Sequence, residues 1–280
     1  MRALLESAAR KQSALIVGLD PTPGRLPKEI SVLELAPHEA TREFCRGILE
    51  AAAAEVAAVK LQSAYFERLG VKGIETYAAL IEDAHDLGLP VISDVKRGDI
   101  GPTATAYAEA HLRVHGAECV TVNPYMGSDA ILPFLEEARR MDRGGGVFVL
   151  VATSNPSADY IQNTGEPPVY ERAARLVADL SSGGEYPDAG AVVGVTRPEV
   201  GRRVRELLPG TLFLAPGYGA QGGGASDVRA LLDQRGGGVL VNSSRGILYA
   251  HEGSERDYRE AAREAARSTR EELKSAGVRC

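Results

Sequence analysis

The segment Asp94-Val-Lys96-Arg-Gly-Asp99 places a lysine between two carboxylates. Side chains alternate along an extended strand, so Asp94 and Lys96 share a face and Asp99 follows on the turn beyond. An ammonium set between carboxylates stays protonated, which suits a proton donor or fixed cation and not a Schiff-base nucleophile. KRGD is also ordinary surface-turn material. The preceding run PVIS is apolar, however, and Lys60 sits in a similar setting, AVKLQ. Charges in such runs are costly to bury without partners. A second constellation is Pro216-Gly-Tyr-Gly-Ala-Gln221-Gly-Gly-Gly, followed by Arg245 in NSSRG. Glycines at 217, 219 and 222 match a dinucleotide fingerprint in form, but Asn242 ends the next strand where an acidic ribose ligand is expected. A smaller phosphate fits better. Gly219 and Gly222 would open backbone N–H groups to it, and Arg245 would add a forked cation.

These residues need a scaffold, and the chain repeats one. Apolar runs occupy residues 15–20 (LIVGLD), 57–62 (AAVKLQ), 90–96 (PVISDVK), 119–124 (CVTVNP), 147–153 (VFVLVAT), 190–195 (GAVVGV), 211–216 (TLFLAP) and 238–244 (GVLVNSS). Continuous apolar runs suit parallel strands buried on both faces. Helical patterns follow at 39–57, 73–87, 104–115 and 169–180, with an N-terminal helix over about 1–12 and a C-terminal helix over about 254–277. Ser254 and Asp257 open the last in capping-box spacing. Eight strand–helix units in 280 residues predict a single-domain (β/α)8 TIM barrel, although periodicity leaves a doubly wound sheet open. Asp20, Lys60, Asp94, Lys96, Asn123, Thr153, Ser154, Thr196 and Asn242 all fall at strand ends, the face that carries a barrel's active site. Residues 155–168 and 181–188 read as inserted loops.

Composition narrows the class. The chain is 44% hydrophobic and 25% charged, the balance of a globular protein with a large core. A net charge of −6 argues against a general nucleic-acid binder. Three scattered cysteines without a CxxC pair fit a reducing compartment, the cytoplasm. No apolar run is long enough to span a membrane. The five histidines lack metal-ligand spacing, and the pair His111/His115 suits a solvated helix face.

From about residue 15 to 249 the chain resembles orotidine 5′-phosphate decarboxylases in their longer bacterial form. VGLDPTP, KLQSAYFE, SDVKRGDIGPTATAYA, TVNPYMGSD, TSNPS, APGYGAQGGG and NSSRG appear in order. Ser93 and Val95 replace alanines common in the family, and no charged position changes. The resemblance implies decarboxylation of orotidine 5′-phosphate to UMP without cofactor or metal. Lys96 would protonate the C6 carbanion, with Asp94 beside the substrate carboxylate. Asp99 and Thr103 would enter the site from the second subunit of a homodimer. Lys60 and Asp20 would contact the ribose, Ser154 (or its neighbour Thr153) the ring, and Gln221 and Arg245 the phosphate. Two rivals share features of this pattern: Mg²⁺-dependent sugar-phosphate enzymes with a similar D-x-K-x-x-D strand, and a non-catalytic phosphate-binding module.

Overall fold

In the computed structural model, which describes residues 1–181 and 187–280, the eight apolar runs become eight parallel strands. They are β1 (Leu15–Leu19), β2 (Ala58–Gln62), β3 (Val91–Arg97), β4 (Cys119–Val122), β5 (Gly146–Ala152), β6 (Ala189–Val193), β7 (Phe213–Ala215) and β8 (Val239–Ser243). Each pairs with its sequence neighbour, and β8 returns to β1 through Leu15↔Val241 and Ile16↔Asn242, closing a barrel. The doubly wound alternative is thereby excluded. Residues 182–186, most of the expected 181–188 insertion, lie outside the described residues.

Strand alternation builds two cores. Outward residues such as Val17, Val59, Val91 and Val120 pack with Phe44, Ile48, Leu80 and Phe134 of the surrounding helices. Inward residues Ile16, Ile92, Cys119, Phe148 and Leu240 form a floor, which Met1 together with Leu4 and Ala8 of helix α1 (Arg2–Lys11) covers from below. Burying a side chain such as Leu4 is worth about 1.5–3 kcal/mol, so α1 is an integral plug. The lower end is sealed, and polar groups gather at the upper end.

Helix boundaries differ from the sequence reading where caps override periodicity. Helix α2 (Pro37–Ala52) stops short of residue 57, because Ala57 already bonds to Leu15 at the base of the sheet. Helix α3 (Val71–Asp86) follows β2, and α4 (Gly101–Ala108) starts earlier than expected, with Pro102 in a first turn that lacks N–H acceptors. A wider turn, Glu109–Val114, continues it. Helices α5 (Leu132–Arg139), α6 (Val169–Leu180) and α7 (Pro198–Leu207) follow β4, β5 and β6. After β7 the chain makes a short turn of helix, Ala225–Val228, that runs on into a tighter turn, Arg229–Leu231. The C-terminal helix α8 (Tyr258–Ser275) begins later than residue 254, since Asp257 itself caps it by accepting the Arg259 N–H at 2.9 Å. Ser254 instead accepts the Arg256 N–H in the loop before it. Among the described residues no helix is long and apolar enough to cross a membrane.

Candidate active site

The upper strand ends open into a cavity of about 390 Å³, large enough for a mononucleotide-sized ligand. Asp94 is the hub of its charged wall. Its Oδ2 accepts from Lys60 Nζ at 2.8 Å and from Gln62 Nε2 at 3.0 Å. Its Oδ1 accepts from Lys96 Nζ at 2.6 Å and from Thr121 Oγ1 at 2.9 Å. Asp20 lies 3.6 Å from Lys60 and completes an alternating chain of charge. Two positions earlier on β1, residue 18 is glycine, which leaves room for Ser244 and Asn242: a Cβ there would come within 2.1 Å of Ser244 Oγ and 2.8 Å of Asn242 Oδ1.

The two lysines differ in kind. The Lys60 side chain is 6% exposed, locked between carboxylates, whereas that of Lys96 is 45% exposed and faces the cavity. Burial alone would push the Lys60 ammonium down, but Asp20 and Asp94 outweigh it and hold its pKa above the usual lysine range. Burial likewise would raise Asp94, yet Lys60 and Lys96 hold its carboxyl far below the ordinary carboxylate range. The site therefore contains fixed charge before any ligand arrives.

Lys96 shares the inward face with Asp94, as alternation predicts, but its backbone departs from the strand. Its φ is +46°, the left-handed region that a residue with a Cβ seldom adopts. The β3–β4 register explains the local geometry. Ser93 pairs with Val120 and Arg97 with Val122, so Asp94, Val95 and Lys96 all lie opposite Thr121. This bulge re-aims the lysine while Val95 stays in the outer core.

Opposite the charged wall lies the glycine loop after β7. Ser154 Oγ donates to Gln221 Oε1 at 2.8 Å, and an Arg245 N–H donates to the Ala220 carbonyl at 3.0 Å. Ser154, Gln221 and Arg245 thus meet at one end of the cavity. Gly219 and Gly222 have φ of +70° and +95°, and their N–H groups bond within the loop, to Gly223 and Gly219 carbonyls. These two N–H groups, the ones expected to face a phosphate, turn the loop that presents Gln221. Thr153 uses its hydroxyl on Asn155 and Gln162, whereas Ser154 spends its proton on Gln221. Gln162 comes from the expected 155–168 insertion, which folds into short turns at Pro156–Ala158 and Asp159–Gln162.

Asp99 and Thr103 do not line this cavity in the single chain; Asp99 caps its own turn through the Ile100 N–H at 2.8 Å. Asn123 and Thr196 also lie outside it, holding the Tyr125 N–H and the Ser154 carbonyl. His111 is buried against Arg97, which corrects the solvated face expected for it. Sequence reading missed Gln62 and Thr121, as well as the apolar lining Leu150, Val192 and Leu214. A lone threonine inside the apolar run CVTV, in phase with the inward face, was the one available sign of Thr121.

Residues 13–264 match the family model of the orotidine 5′-phosphate decarboxylase / HUMPS family. The chain is 41% identical to an orotidine 5′-phosphate decarboxylase of Rhodopirellula baltica, covering 95% of each chain. It is also 41% identical to that of Deinococcus radiodurans, over 98% of this chain and 97% of the relative. The OMP decarboxylase structure of Leishmania donovani superposes with a TM-score of 0.81 at 33% identity, over 98% of this chain and 97% of that one. Sequence, fold and the charged wall around Asp94 agree, and the chain belongs to the orotidine 5′-phosphate decarboxylase / HUMPS family.

Proposed function

We propose that Lys96 is the proton donor in the decarboxylation of orotidine 5′-phosphate to UMP and CO2, the reaction of the decarboxylases to which this chain is similar. Loss of CO2 leaves an sp² carbanion at C6 that the ring delocalises poorly, so the stabilisation must be electrostatic. The Lys96 ammonium transfers one proton to C6, becomes an amine and, being open to the cavity, regains a proton from solvent. A cation about 4 Å from the carbanion is worth on the order of 4 kcal/mol at an effective dielectric near 20. Asp94, negative and rigid, faces the substrate carboxylate and holds the Lys96 ammonium at 2.6 Å. Departure of CO2 relieves the apposition of two anions. Phosphate binding by Gln221 and Arg245, remote from C6, holds the carboxylate in that position. Asp20 and Lys60 take the ribose, Ser154 a polar ring edge, and Leu150, Val192 and Leu214 the ring face. The observation that carries this reading is Lys96, half exposed to the cavity and 2.6 Å from a carboxylate with three further donors.

Both oxygens of Asp94 are occupied by N–H and O–H donors, so a divalent ion would have to displace two ammonium groups to reach it. This donor set favours the metal-independent reaction over a Mg²⁺-dependent relative. A homodimer with a shared site is part of the proposal. Asp99 adjoins exposed Ile100 and Thr103 lies one turn before exposed Tyr107 on α4, while Tyr125 and Met126 are exposed just after β4, whose end the Asn123 N–H joins to β3 through the Arg97 carbonyl at 2.7 Å. Burying these side chains against a second copy would bring its Asp99 toward the cavity. The free thiols of Cys45, Cys119 and Cys280 suit a cytoplasmic setting.

Orotidine 5′-phosphate added with excess EDTA should lose its ultraviolet absorbance as UMP forms. Conversion only on adding Mg²⁺ would overturn the assignment in favour of the metal-dependent chemistry. Mixed Lys96→Ala and Asp99→Ala proteins, each nearly inactive alone, should regain activity after subunit exchange. No recovery despite demonstrated exchange would rule out the shared site.

A further inference from the structure

The hydroxyl of Thr121 sits at the centre of the β3 bulge with all its hydrogen-bonding capacity used. A threonine hydroxyl has one donor and two acceptor lone pairs. Thr121 Oγ1 accepts from the Val95 N–H at 3.0 Å and the Lys96 N–H at 2.9 Å, and donates to Asp94 Oδ1 at 2.9 Å. With both lone pairs taken by backbone donors, its single proton has one destination, the carboxylate. The residue is buried, at 1% exposure, so water offers no substitute for these bonds.

The pattern closes a ring. The Lys96 N–H reaches Thr121, Thr121 reaches Asp94 Oδ1, and that same oxygen receives Lys96 Nζ. Lys96 is thus held at both ends, at its amide and at its ammonium, with one threonine oxygen joining the two anchor points. Such a clasp is what a left-handed, non-glycine lysine requires, because strained backbone persists only where its surroundings over-determine it. Ordinary strand pairing does not supply the restraint here, since three β3 residues face the single residue Thr121.

We propose that Thr121 is a positioning residue for the reaction, its hydroxyl fixing the bulge so that the Lys96 ammonium and the Asp94 carboxylate meet the reacting carbon in register. The inference rests on the reading of Lys96 as proton donor. Thr121→Val is nearly isosteric but strands two buried N–H groups and one carboxylate acceptor. Its kcat should fall by about 10²-fold, the scale expected for a misplaced catalytic group. Phosphate and ring contacts lie elsewhere, so KM and the Kd for UMP should stay within threefold. Thr121→Ser keeps the hydroxyl and should restore kcat to within fivefold of the parent. Thr121→Cys, similar in size with a weakly bonding thiol, supplies the same loss of turnover if the valine variant does not fold.

Valine or cysteine variants with kcat within threefold of the parent would overturn the proposal. So would equal losses in the serine and valine variants, which would show that keeping the hydroxyl does not preserve turnover, and so would parallel losses of kcat and UMP affinity. Lys96→Ala, assayed alongside, separates the two readings. If it retains activity, the proton-donor reading fails; if it is inactive while Thr121→Val is not, only the inference about Thr121 fails.

Discussion

The mouth of the barrel is divided into two walls. Strands β8 and β1–β4 and their ends contribute Asn242, Asp20, Lys60, Gln62, Asp94 and Thr121, whereas β5–β7 contribute Leu150, Val192 and Leu214. On the polar wall almost every group is fixed by another protein group, and Asp94 alone receives four donors. Dipoles and charges oriented in advance cost no reorganisation when charge develops, so on the proposed reading this wall would act on the transition state. On the same reading the apolar wall would make non-directional contacts that hold substrate and transition state alike. Such uniform binding lowers KM and leaves kcat unchanged. One wall should therefore register in turnover and the other in affinity.

The largest test of that division is Asp94→Asn. It removes the charge opposite the substrate carboxylate and loosens Lys96, so kcat should fall by about 10³-fold or more, the upper range for one electrostatic group. The variant should also lose on the order of 3 kcal/mol of stability, because Lys60 keeps only Asp20 as a counter-charge. Thermal unfolding and steady-state kinetics read the two losses separately. In the double variant Lys60→Met/Asp94→Asn the stranded ammonium is gone, and much of the lost Tm should return while kcat stays low. A loss confined to KM would break the comparison.

A smaller effect is expected across the cavity. Val192→Ala removes about two methylene equivalents of buried contact, about 1.5 kcal/mol, or roughly tenfold in UMP affinity. Calorimetric titration with UMP should show that weakening, with kcat within threefold of the parent. A kcat loss as deep as that of Asp94→Asn would show that both walls act on the transition state.

How much of this was legible in the sequence differs between the walls. Charge inside apolar runs is rare enough that Lys60, Asp94 and Lys96 declare themselves, and their strand parity places them correctly on the inner face. Leu150, Val192 and Leu214 carry no such mark, since the same residue types fill the outer core one position away. Thr121 was obscured for another reason: its importance comes from a register shift between two strands, and bulges leave no periodic trace in a sequence. Cap geometry explains the boundary errors, as at Asp257, where one side chain decides the helix start against an equally plausible Ser254. The glycine loop was located correctly, but which N–H groups it spends on itself depends on its closed form.

The prediction farthest from the reacting atoms concerns the outer side of the polar wall. Arg97, at the end of β3, donates to Glu67 at 2.7 Å and to His111 Nε2 at 3.4 Å. Burial first, then Arg97 and His115, push the His111 pKa down from 6.5 to about 4. Above pH 6.5 the ring is neutral in both folded and unfolded chains, and it contributes nothing to the pH dependence. Between 6.5 and 4 the unfolded chain takes up a proton that the fold excludes, so stability falls as pH falls through that window. At pH 5 the loss from this one group is at most about 2 kcal/mol. His111→Gln keeps an acceptor toward Arg97 and cannot titrate, so the decline in Tm from pH 7 to pH 5 should be shallower than in the parent. Val192→Ala, which changes only the apolar wall, should keep the parental decline. If His111→Gln and the parent lose Tm equally, the acid sensitivity arises outside this histidine, and the outer side of the polar wall is not where the fold senses protons.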